Sequence, residues 1–293
     1  MGVSVYFIRQ RVNVTTNMSK TVSFVIITYN EEKRIANVIN NFIKYGDVII
    51  LDGGSTDKTR AICEELGAKF YLRPENKKIQ IENEENFEFI KSIITTDWIY
   101  WGHADYIASR ILIEKMIEIS LQDKIKTVSL PLYTYLWGEI EFPSQISHTT
   151  MFFHKDFRSF SDTRIHYQGT FTGSKGQHLI LPSNPDCALH HFSTYNVSKY
   201  VAGYMRYGEE EARQKFERGE SFSLIKLFAA MMRYLWIYRR SLRSPRLGIL
   251  IMLNMAFGRL MTYTRLYEYE HDITLDSIED NYSRKKEQLL KDF

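Results

Sequence analysis

The sequence has little of several features that would define its class. Of its 293 residues only Cys63 and Cys187 are cysteines, which excludes a disulfide-dense scaffold and a paired-cysteine metal site. Its 38 basic and 35 acidic residues leave a net charge of +3, too balanced to indicate a nucleic-acid partner. No apolar run reaches the roughly 18 uncharged residues that a membrane-spanning helix needs. Reduced thiols in a cytoplasmic protein are the simplest interpretation.

The chain divides into three parts by pattern. The apolar stretch within residues 1–11 is too short, and charged residues follow it too soon, for a secretory signal. Residues 1–20 are therefore interpreted as an extension. Residues 21–197 are expected to form one catalytic domain, because strand and helix patterns mix there. Residues 198–293 are predicted to be helical. Whether the chain forms a homo-oligomer is left open by these patterns.

Strand-like and helix-like segments alternate through the first hundred residues. Short runs rich in β-branched residues predict buried strands at residues 24–27, 48–51, 69–72 and 98–101. Helical spacing of apolar residues predicts helices between them, including residues 31–44 and 83–94. A further helix is predicted over residues 107–120, and a strand over 127–136. This alternation predicts an α/β fold whose parallel strands are joined by crossover helices.

Polar or flexible residues follow three of the predicted strands. These are Thr-Tyr-Asn-Glu at residues 28–31, Asp-Gly-Gly at 52–54 and His-Ala-Asp at 103–105. Ligands of parallel sheets bind beyond the carboxyl ends of the strands. We therefore expect the three segments to converge on one ligand.

The turn at residues 51–57, Leu-Asp-Gly-Gly-Ser-Thr-Asp, suits a nucleotide. An acid at a strand end accepts hydrogen bonds from a base or ribose, and glycines allow close approach of the backbone. The following helix N-terminus favours an anion. The alternative is an ordinary strand-to-helix turn with a capping serine. A GxGxxG motif is absent, which disfavours a dinucleotide site.

Two motifs together resemble the opening of family 2 glycosyltransferases of the GT-A fold. They are Phe-Val-Ile-Ile-Thr-Tyr-Asn-Glu-Glu at residues 24–32 and Ile-Ile-Leu-Asp-Gly-Gly-Ser-Thr-Asp at residues 49–57. The resemblance continues through residues 97–101 and covers about residues 22–200. It implies a GT-A, Rossmann-like nucleotide-sugar-binding sheet. It also implies that the nucleoside of a donor, most simply a UDP-sugar, is held by Thr28, Tyr29, Asn30, Glu31, Asp52, Gly53 and Ala104.

The resemblance places a metal site at the end of the fourth strand. The family has Asp-x-Asp there, and this chain has His103, Ala104 and Asp105. Asp105 matches the last carboxylate of that motif and would hold a divalent cation that stabilises the leaving diphosphate. His103 departs from the motif, and imidazole suits Mn²⁺ better than Mg²⁺. His103 could instead contact phosphate, or be a hydrogen-bonded residue at a strand end.

The candidate catalytic bases follow residue 153 in the sequence. Lipopolysaccharide-core transferases, which this region resembles, carry Val-His-Glu there, whereas this chain has Ile165, His166 and Tyr167. Asp162 and His166 are the candidate bases for inverting transfer, and a structural loop histidine is the alternative. Further along, one of the adjacent histidines His190 and His191 could approach the diphosphate, since neighbours in an extended chain point to opposite faces.

The C-terminal region has a basic and apolar block. Residues 221–265 contain eight Lys or Arg and no Asp or Glu. Lys226, Arg233 and Arg240, spaced by seven, are predicted to share one helical face beside an apolar surface. Such a block suits anionic lipid, so we expect peripheral contact with the inner face of a membrane. The alternative is a helical pair packed on the catalytic domain.

The sequence as a whole predicts metal-assisted, inverting transfer of a sugar from a nucleoside diphosphate to a lipid-linked or cell-envelope glycan. Two alternatives are weighed against this. A pseudo-transferase or scaffold would explain His103 and Tyr167. A nucleotidyltransferase would need a glycine-rich activating loop with Arg and Lys near the first strand, which residues 28–32 do not resemble.

Overall fold

The computed structural model describes residues 20–74, 82–161, 168–193 and 196–291. The strands of that part of the chain are β1 (Val22–Thr28), β2 (Asp47–Asp52), β3 (Lys69–Leu72), β4 (Trp98–His103), β5 (Tyr106–Ala108), β6 (Thr127–Leu136), β7 (Gln145–His154), β8 (Arg158–Ser159), β9 (Thr170–Phe171), β10 (His178–Ile180) and β11 (Leu189–Ser193). Its α-helices are α1 (Ile35–Phe42), α2 (Thr59–Glu65), α3 (Glu84–Ile93), α4 (Arg110–Ser120), α5 (Val197–Glu217), α6 (Leu224–Ile237), α7 (Pro245–Glu270) and α8 (Leu275–Leu290).

One large sheet organises the first two thirds of the chain. Its order is β3-β2-β1-β4-β7-β6-β11-β5, and β10 also pairs with β6. Strands β1 to β4 are mutually parallel, as the sequence predicted. Because β7 runs antiparallel to both β4 and β6, and β11 is parallel to β6, the carboxyl ends of β1, β2, β4, β6 and β11 share one edge. We call this edge the C-edge.

Apolar side chains bury both faces of the sheet. On one face, Phe24, Ile26 and Ile50 pack with residues of α1, α2 and α4. On the other, Val25, Ile27 and Trp101 pack with Phe87 and Ile90 of α3. Strands covered on both faces read as continuous apolar runs, which is why residues 24–27 and 48–51 were recognisable as strands.

Several helix boundaries differ from the predictions. Helix α1 begins at Ile35, because residues 31–34 form the turn at the C-edge, and residues 106–108 form β5 rather than the start of α4. Helix α6 ends at Ile237, and residues 239–243 form a 3₁₀ turn before Pro245. The prediction that Arg240 shares an α-helical face with Lys226 and Arg233 is therefore wrong.

Helices α5, α6 and α7 pack together after the sheet. The Tyr200 hydroxyl of α5 donates to the Asn254 carbonyl of α7 at 2.8 Å. Arg259 of α7 pairs with Glu211 of α5 at 2.9 Å, and both side chains are largely buried. By length and composition alone, α7 could cross a membrane, although a third of its most apolar stretch is buried against its neighbours.

Candidate active site

The three predicted ligand-binding segments meet at the C-edge. In the sheet register Thr28 pairs with Asp52, and Ile27 pairs with His103. The residues that follow β1, β2 and β4 are therefore neighbours across adjacent strands. This placement was the central expectation from sequence, and it makes one shared ligand geometrically feasible.

Asp52 shapes the loop after β2. Its side chain is fully buried, and its carboxylate accepts hydrogen bonds from the Thr28 hydroxyl (2.8 Å), the Gly54 amide (2.8 Å), and the Ser55 amide and hydroxyl (2.6 Å each). A carboxylate with these donors has little capacity left for a ligand. In this arrangement Asp52 fixes the shape of the loop, and its direct contact with a nucleoside stays a prediction.

The turn after β1 interlocks with that loop. The Asn30 side-chain oxygen accepts from the Thr56 amide at 2.8 Å, and the Asn30 amide donates to the Ser55 hydroxyl at 2.7 Å. Asn30 adopts φ +54°, a left-handed conformation that asparagine tolerates better than most residues. The neighbouring Tyr29 ring is 59% exposed, so an aromatic face stands open beside the loop.

Gly53 lies directly against an arginine that follows β3. A Cβ at Gly53 would come within 2.2 Å of the Arg73 guanidinium, so a side chain there would displace it. Arg73 is itself buried, and its amide donates to the Asp52 carbonyl at 2.8 Å. A positive charge thus underlies the predicted nucleotide loop. Sequence reasoning missed it, although its position after a predicted strand was a signal.

Asp105 contacts two basic side chains at the C-edge. His191 Nε2 lies 3.2 Å from Asp105 Oδ2, and Arg34 lies 3.8 Å from the same oxygen. Burial acts to raise the pKa of Asp105, but the His191 hydrogen bond and the charges of His191, His103 and Arg34 bring that pKa below its usual value. Asp105 is therefore an anion at neutral pH.

Arg34 bridges two carboxylates. It donates to both oxygens of Glu31 at 2.6 Å and reaches toward Asp105. Burial raises the pKa of Glu31 above its ordinary value, against the opposing hydrogen bond and charge of Arg34. Glu31 and Arg34 are three residues apart, a spacing at which side chains can pair, but the prediction from the motif did not include this pair.

His103 stands next to this cluster. Its Nε2 lies 3.9 Å from a Glu82 carboxylate oxygen, and its ring contacts Tyr106 edge-on at 5.2 Å between centroids. Tyr106 in turn contacts the His191 ring at 4.6 Å. His103, Tyr106, His191 and Asp105 therefore form a continuous row of contacts. Ala104, between His103 and Asp105 in the chain, is buried.

The two adjacent histidines of β11 separate as expected from strand alternation. His191 faces Asp105, with its Nδ1 3.5 Å from the Thr134 hydroxyl. His190 points to the other face and contacts the Tyr133 and Tyr135 rings. The sequence predicted that at most one would approach the site, and the structure identifies His191 as that residue.

Two predicted catalytic residues fall outside this description. Asp162 and His166 lie in residues 162–167, which are outside the described residues. The candidate site is therefore built from the remaining predicted residues at the C-edge, from His191, which was one of two histidines predicted to approach it, and from Arg34, Arg73, Glu82 and Tyr106, which were not predicted.

A divalent cation fits this donor set only in part. Among the residues that the structure describes, no three His, Cys, Asp or Glu side chains are grouped to hold a metal. Asp105 and His103 nevertheless offer one oxygen and one nitrogen donor at the end of β4. Cations bound with nucleotides take one or two protein donors and complete their shell with phosphate oxygens and water. The residues present fit a cation that arrives together with a diphosphate.

The sequence and the sheet can be compared with known proteins. The family model described as Glycosyl transferase family 2 matches residues 23–179. An uncharacterized glycosyltransferase of Rickettsia conorii is 26% identical over 270 residues, which are 86% of this chain and 92% of that protein. A UDP-N-acetylglucosamine–dolichyl-phosphate N-acetylglucosaminyltransferase of Methanococcus voltae is 47% identical over 49 residues, which are 16% of this chain and 20% of that protein.

A solved structure gives a weaker match. Glucosyl-3-phosphoglycerate synthase from Mycobacterium tuberculosis, in complex with Mn²⁺, UDP and phosphoglyceric acid, is 21% identical with a TM-score of 0.33. The match covers 40% of this chain and 44% of that chain. A likeness at this score is too low to support an argument about the site.

Proposed function

The chain belongs to glycosyl transferase family 2, whose model matches residues 23–179, and from this premise we propose that it transfers the sugar of a UDP-sugar to an acceptor hydroxyl at the membrane and releases UDP. The family match confirms the GT-A glycosyltransferase predicted from the two opening motifs. The nucleotide base of the donor, the acceptor, the metal and the catalytic residues are proposals.

The observation that carries the proposal is the meeting of the Asp52 loop and Asp105 at the C-edge. The Asp52 loop is held rigid by its internal hydrogen bonds and lies beside the exposed Tyr29 ring, whose face suits stacking on a nucleoside base. Asp105, His103, Arg34 and His191 lie at the neighbouring strand end, which suits a diphosphate. A nucleoside diphosphate laid along this edge would place its two halves against complementary groups.

The charges of the cluster explain how a leaving diphosphate would be stabilised. Arg34 carries a positive charge, and Asp105 contacts both Arg34 and the His191 ring and so holds them in place. Fixed cations near the bond that breaks stabilise the charge that develops on the leaving group. Asp105 and His103 would hold Mn²⁺ or Mg²⁺ with the donor, and the cation would supply further charge neutralisation.

Transfer with inversion requires a base beside the acceptor hydroxyl. Asp162 and His166 are the proposed bases, because a carboxylate or a neutral imidazole can accept the hydroxyl proton. A nucleophilic oxygen activated on the face opposite the leaving diphosphate gives inversion in one step. This assignment rests on their residue types and on the family resemblance of the segment that contains them.

Membrane contact is proposed for a face formed by α6 and α7. On α6 the exposed apolar residues are spaced to form one stripe: Leu224, Ile225, Phe228, Met232 and Trp236. On α7 the matching stripe is Ile249, Leu250, Leu253 and Phe257. Since residues 221–265 carry eight Lys or Arg and no acid, this apolar face is complementary to an anionic lipid surface. The proposed location is the inner face of the membrane.

A lipid-linked or cell-envelope acceptor follows from that placement. A transferase docked by α6 and α7 would meet acceptors that are themselves held in the membrane. The Methanococcus voltae relative is named for transfer to a lipid phosphate, dolichyl phosphate, which supports this class of acceptor. Support from that relative is limited to the short stretch that the two chains share.

Thermal-shift titration with nucleoside diphosphates and their sugars, with and without Mn²⁺, tests the proposal. UDP and UDP-sugars should raise the melting temperature most, and release of UDP from the preferred donor should follow on adding membrane extract. Binding without any turnover would favour the pseudo-transferase alternative. An absence of binding by every nucleotide would refute the donor assignment.

A further inference from the structure

A polar cleft lies between the sheet and the end of α6. Its volume is about 520 Å³. It is lined by β6 and β7 through Tyr133, Gln145 and His148, and by the end of α6 and the 3₁₀ turn through Trp236, Arg239 and Arg240. None of the proposed donor-binding residues lines it, so this cleft is separate from the Asp52 loop and the Asp105 cluster.

The cleft is positively charged without a matching acid. Arg240 is half-buried, and within the described part of the chain it forms no hydrogen bond or ion pair. Arg239 lies over the Trp236 ring at 3.9 Å and donates to the Trp236 carbonyl at 2.7 Å. No lining residue is acidic. The nearby Glu139 is hydrogen-bonded to Ser244, which ties the loop after β6 to the start of α7. Arg239 is exposed and Arg240 is half-buried, and guanidinium groups pair well with phosphate oxygens.

The cleft also lies at the C-edge. Tyr133 pairs with His190 in the register of β6 and β11, and their rings are 5.8 Å apart. The rings of His190, Tyr135 and Phe192 then run nearly parallel along the strand ends. His191, the next residue, contacts Asp105. The row of aromatic rings therefore runs from the cleft along the C-edge, on the face of β11 opposite the side chain of His191.

Trp236 connects the cleft to the membrane face. Its side chain is 66% exposed, belongs to the apolar stripe of α6, and also lines the cleft. A molecule with an apolar tail on the stripe could therefore place a charged headgroup among Arg239, Arg240 and His148. The headgroup would then lie beside the Tyr133 and His190 rings at the C-edge.

We propose that this cleft binds the phosphoryl group of the acceptor, with Arg239 and Arg240 as its ligands. The identification of this ligand as the acceptor rests on the proposed function. The phosphoryl-binding site itself rests only on the lining of the cleft. The shared chemistry is a phosphate or diphosphate monoester. Its source is either the headgroup of a membrane lipid or a soluble phosphorylated molecule.

Binding is measured on the full-length protein with the donor site filled by excess UDP. The soluble probe is glycerol phosphate in calorimetry, and the lipid probe is flotation with phosphatidylcholine vesicles with or without phosphatidic acid. The variants are Arg240→Gln and, as a charge-matched control on α5 outside the basic block, Arg206→Gln, an exposed arginine that lies over the Tyr207 ring. Circular dichroism and the melting temperature verify that both variants fold.

Arg240→Gln should weaken binding of at least one probe by about tenfold or more, because a charge-assisted hydrogen bond is lost, while Arg206→Gln changes it by less than about twofold. A loss confined to phosphatidic acid vesicles indicates a lipid headgroup, and a loss with glycerol phosphate indicates a soluble source. Equal effects of the two variants, or no effect of Arg240→Gln on either probe, overturn the proposal. A UDP titration of the unmodified protein tests the donor assignment separately.

Discussion

His191 Nε2 lies 3.2 Å from Asp105 Oδ2, across the antiparallel pairing of β11 with β5. This contact joins the last strand before the helical region to the end of the β4 segment. It holds the Asp105 carboxylate between an imidazole and the Arg34 guanidinium. The carboxylate is thereby fixed as an anion at the point where the proposed diphosphate would lie.

Asp105→Asn is expected to reduce sugar transfer by at least about a hundredfold, as loss of a group that organises transition-state charge does. The substitution keeps the shape of the side chain but removes the charge that holds His191 and Arg34. Release of UDP from a UDP-sugar in the presence of acceptor extract measures the effect.

Asp47→Asn is the control for that change. Asp47 begins β2 at the opposite edge of the sheet, and it pairs with the exposed Lys20 and Lys69. Its loss should leave transfer unchanged and cost less than about 1 kcal/mol of stability, as surface ion pairs do. Equal activity of the two variants would remove Asp105 from the mechanism.

Chelation tests the proposed cation. If Asp105 and His103 hold a metal with the donor, EDTA should abolish transfer, and Mn²⁺ should restore it better than Mg²⁺ because an imidazole is among the ligands. His103→Asp should shift the preference toward Mg²⁺, which favours oxygen ligands. Full activity in EDTA, with UDP binding unaltered, would instead assign the charge neutralisation to Arg34 and His191.

Ile225→Ser with Phe228→Ser tests the membrane face. Ile225 and Phe228 are 82% and 61% exposed on the α6 stripe. Removing two exposed apolar side chains should weaken binding to anionic vesicles by about tenfold or more, since each contributes on the order of 1.5 kcal/mol when buried in lipid. Leu121→Ser, at a position after α4 that is 57% exposed and so close to Phe228 in exposure, should leave flotation unchanged. Similar flotation of both variants would contradict the assigned face.

The sheet could be predicted because its strands are local signals. The apolar runs at residues 24–27 and 48–51 are covered on both faces, and the polar residues that end them mark the C-edge. The partners of Asp105 could not be predicted in the same way. Arg34 and His191 are distant in sequence and meet Asp105 only through the strand order. Alternation along β11 required one histidine to face the site, but which one depended on its register with β6.

Cys63 should be unreactive in the folded protein. It is fully buried against the sheet, and burial raises the pKa of its thiol to about 12. At about pH 8 the thiolate fraction would be on the order of 10⁻⁴, so alkylation should be slow until the chain unfolds. In a Cys187→Ser variant, labelling by iodoacetamide should rise only with denaturant, in parallel with circular dichroism. Rapid labelling without denaturant would show that α2 is not packed as described.

The ion pair between Arg259 and Glu211 offers a test of whether α7 packs against α5. Because both side chains are largely buried between α5 and α7, Glu211→Gln would leave a guanidinium charge without its carboxylate. Breaking a buried pair costs about 3 kcal/mol of unfolding free energy. The matched control is Glu210→Gln, the preceding residue on α5, whose partner Arg213 is exposed and whose loss should cost less than about 1 kcal/mol. Urea unfolding of detergent-free protein measures both. If the two variants lose equal stability, α7 does not pack on α5 in solution, and its apolar length would then favour insertion into the bilayer over contact at its surface.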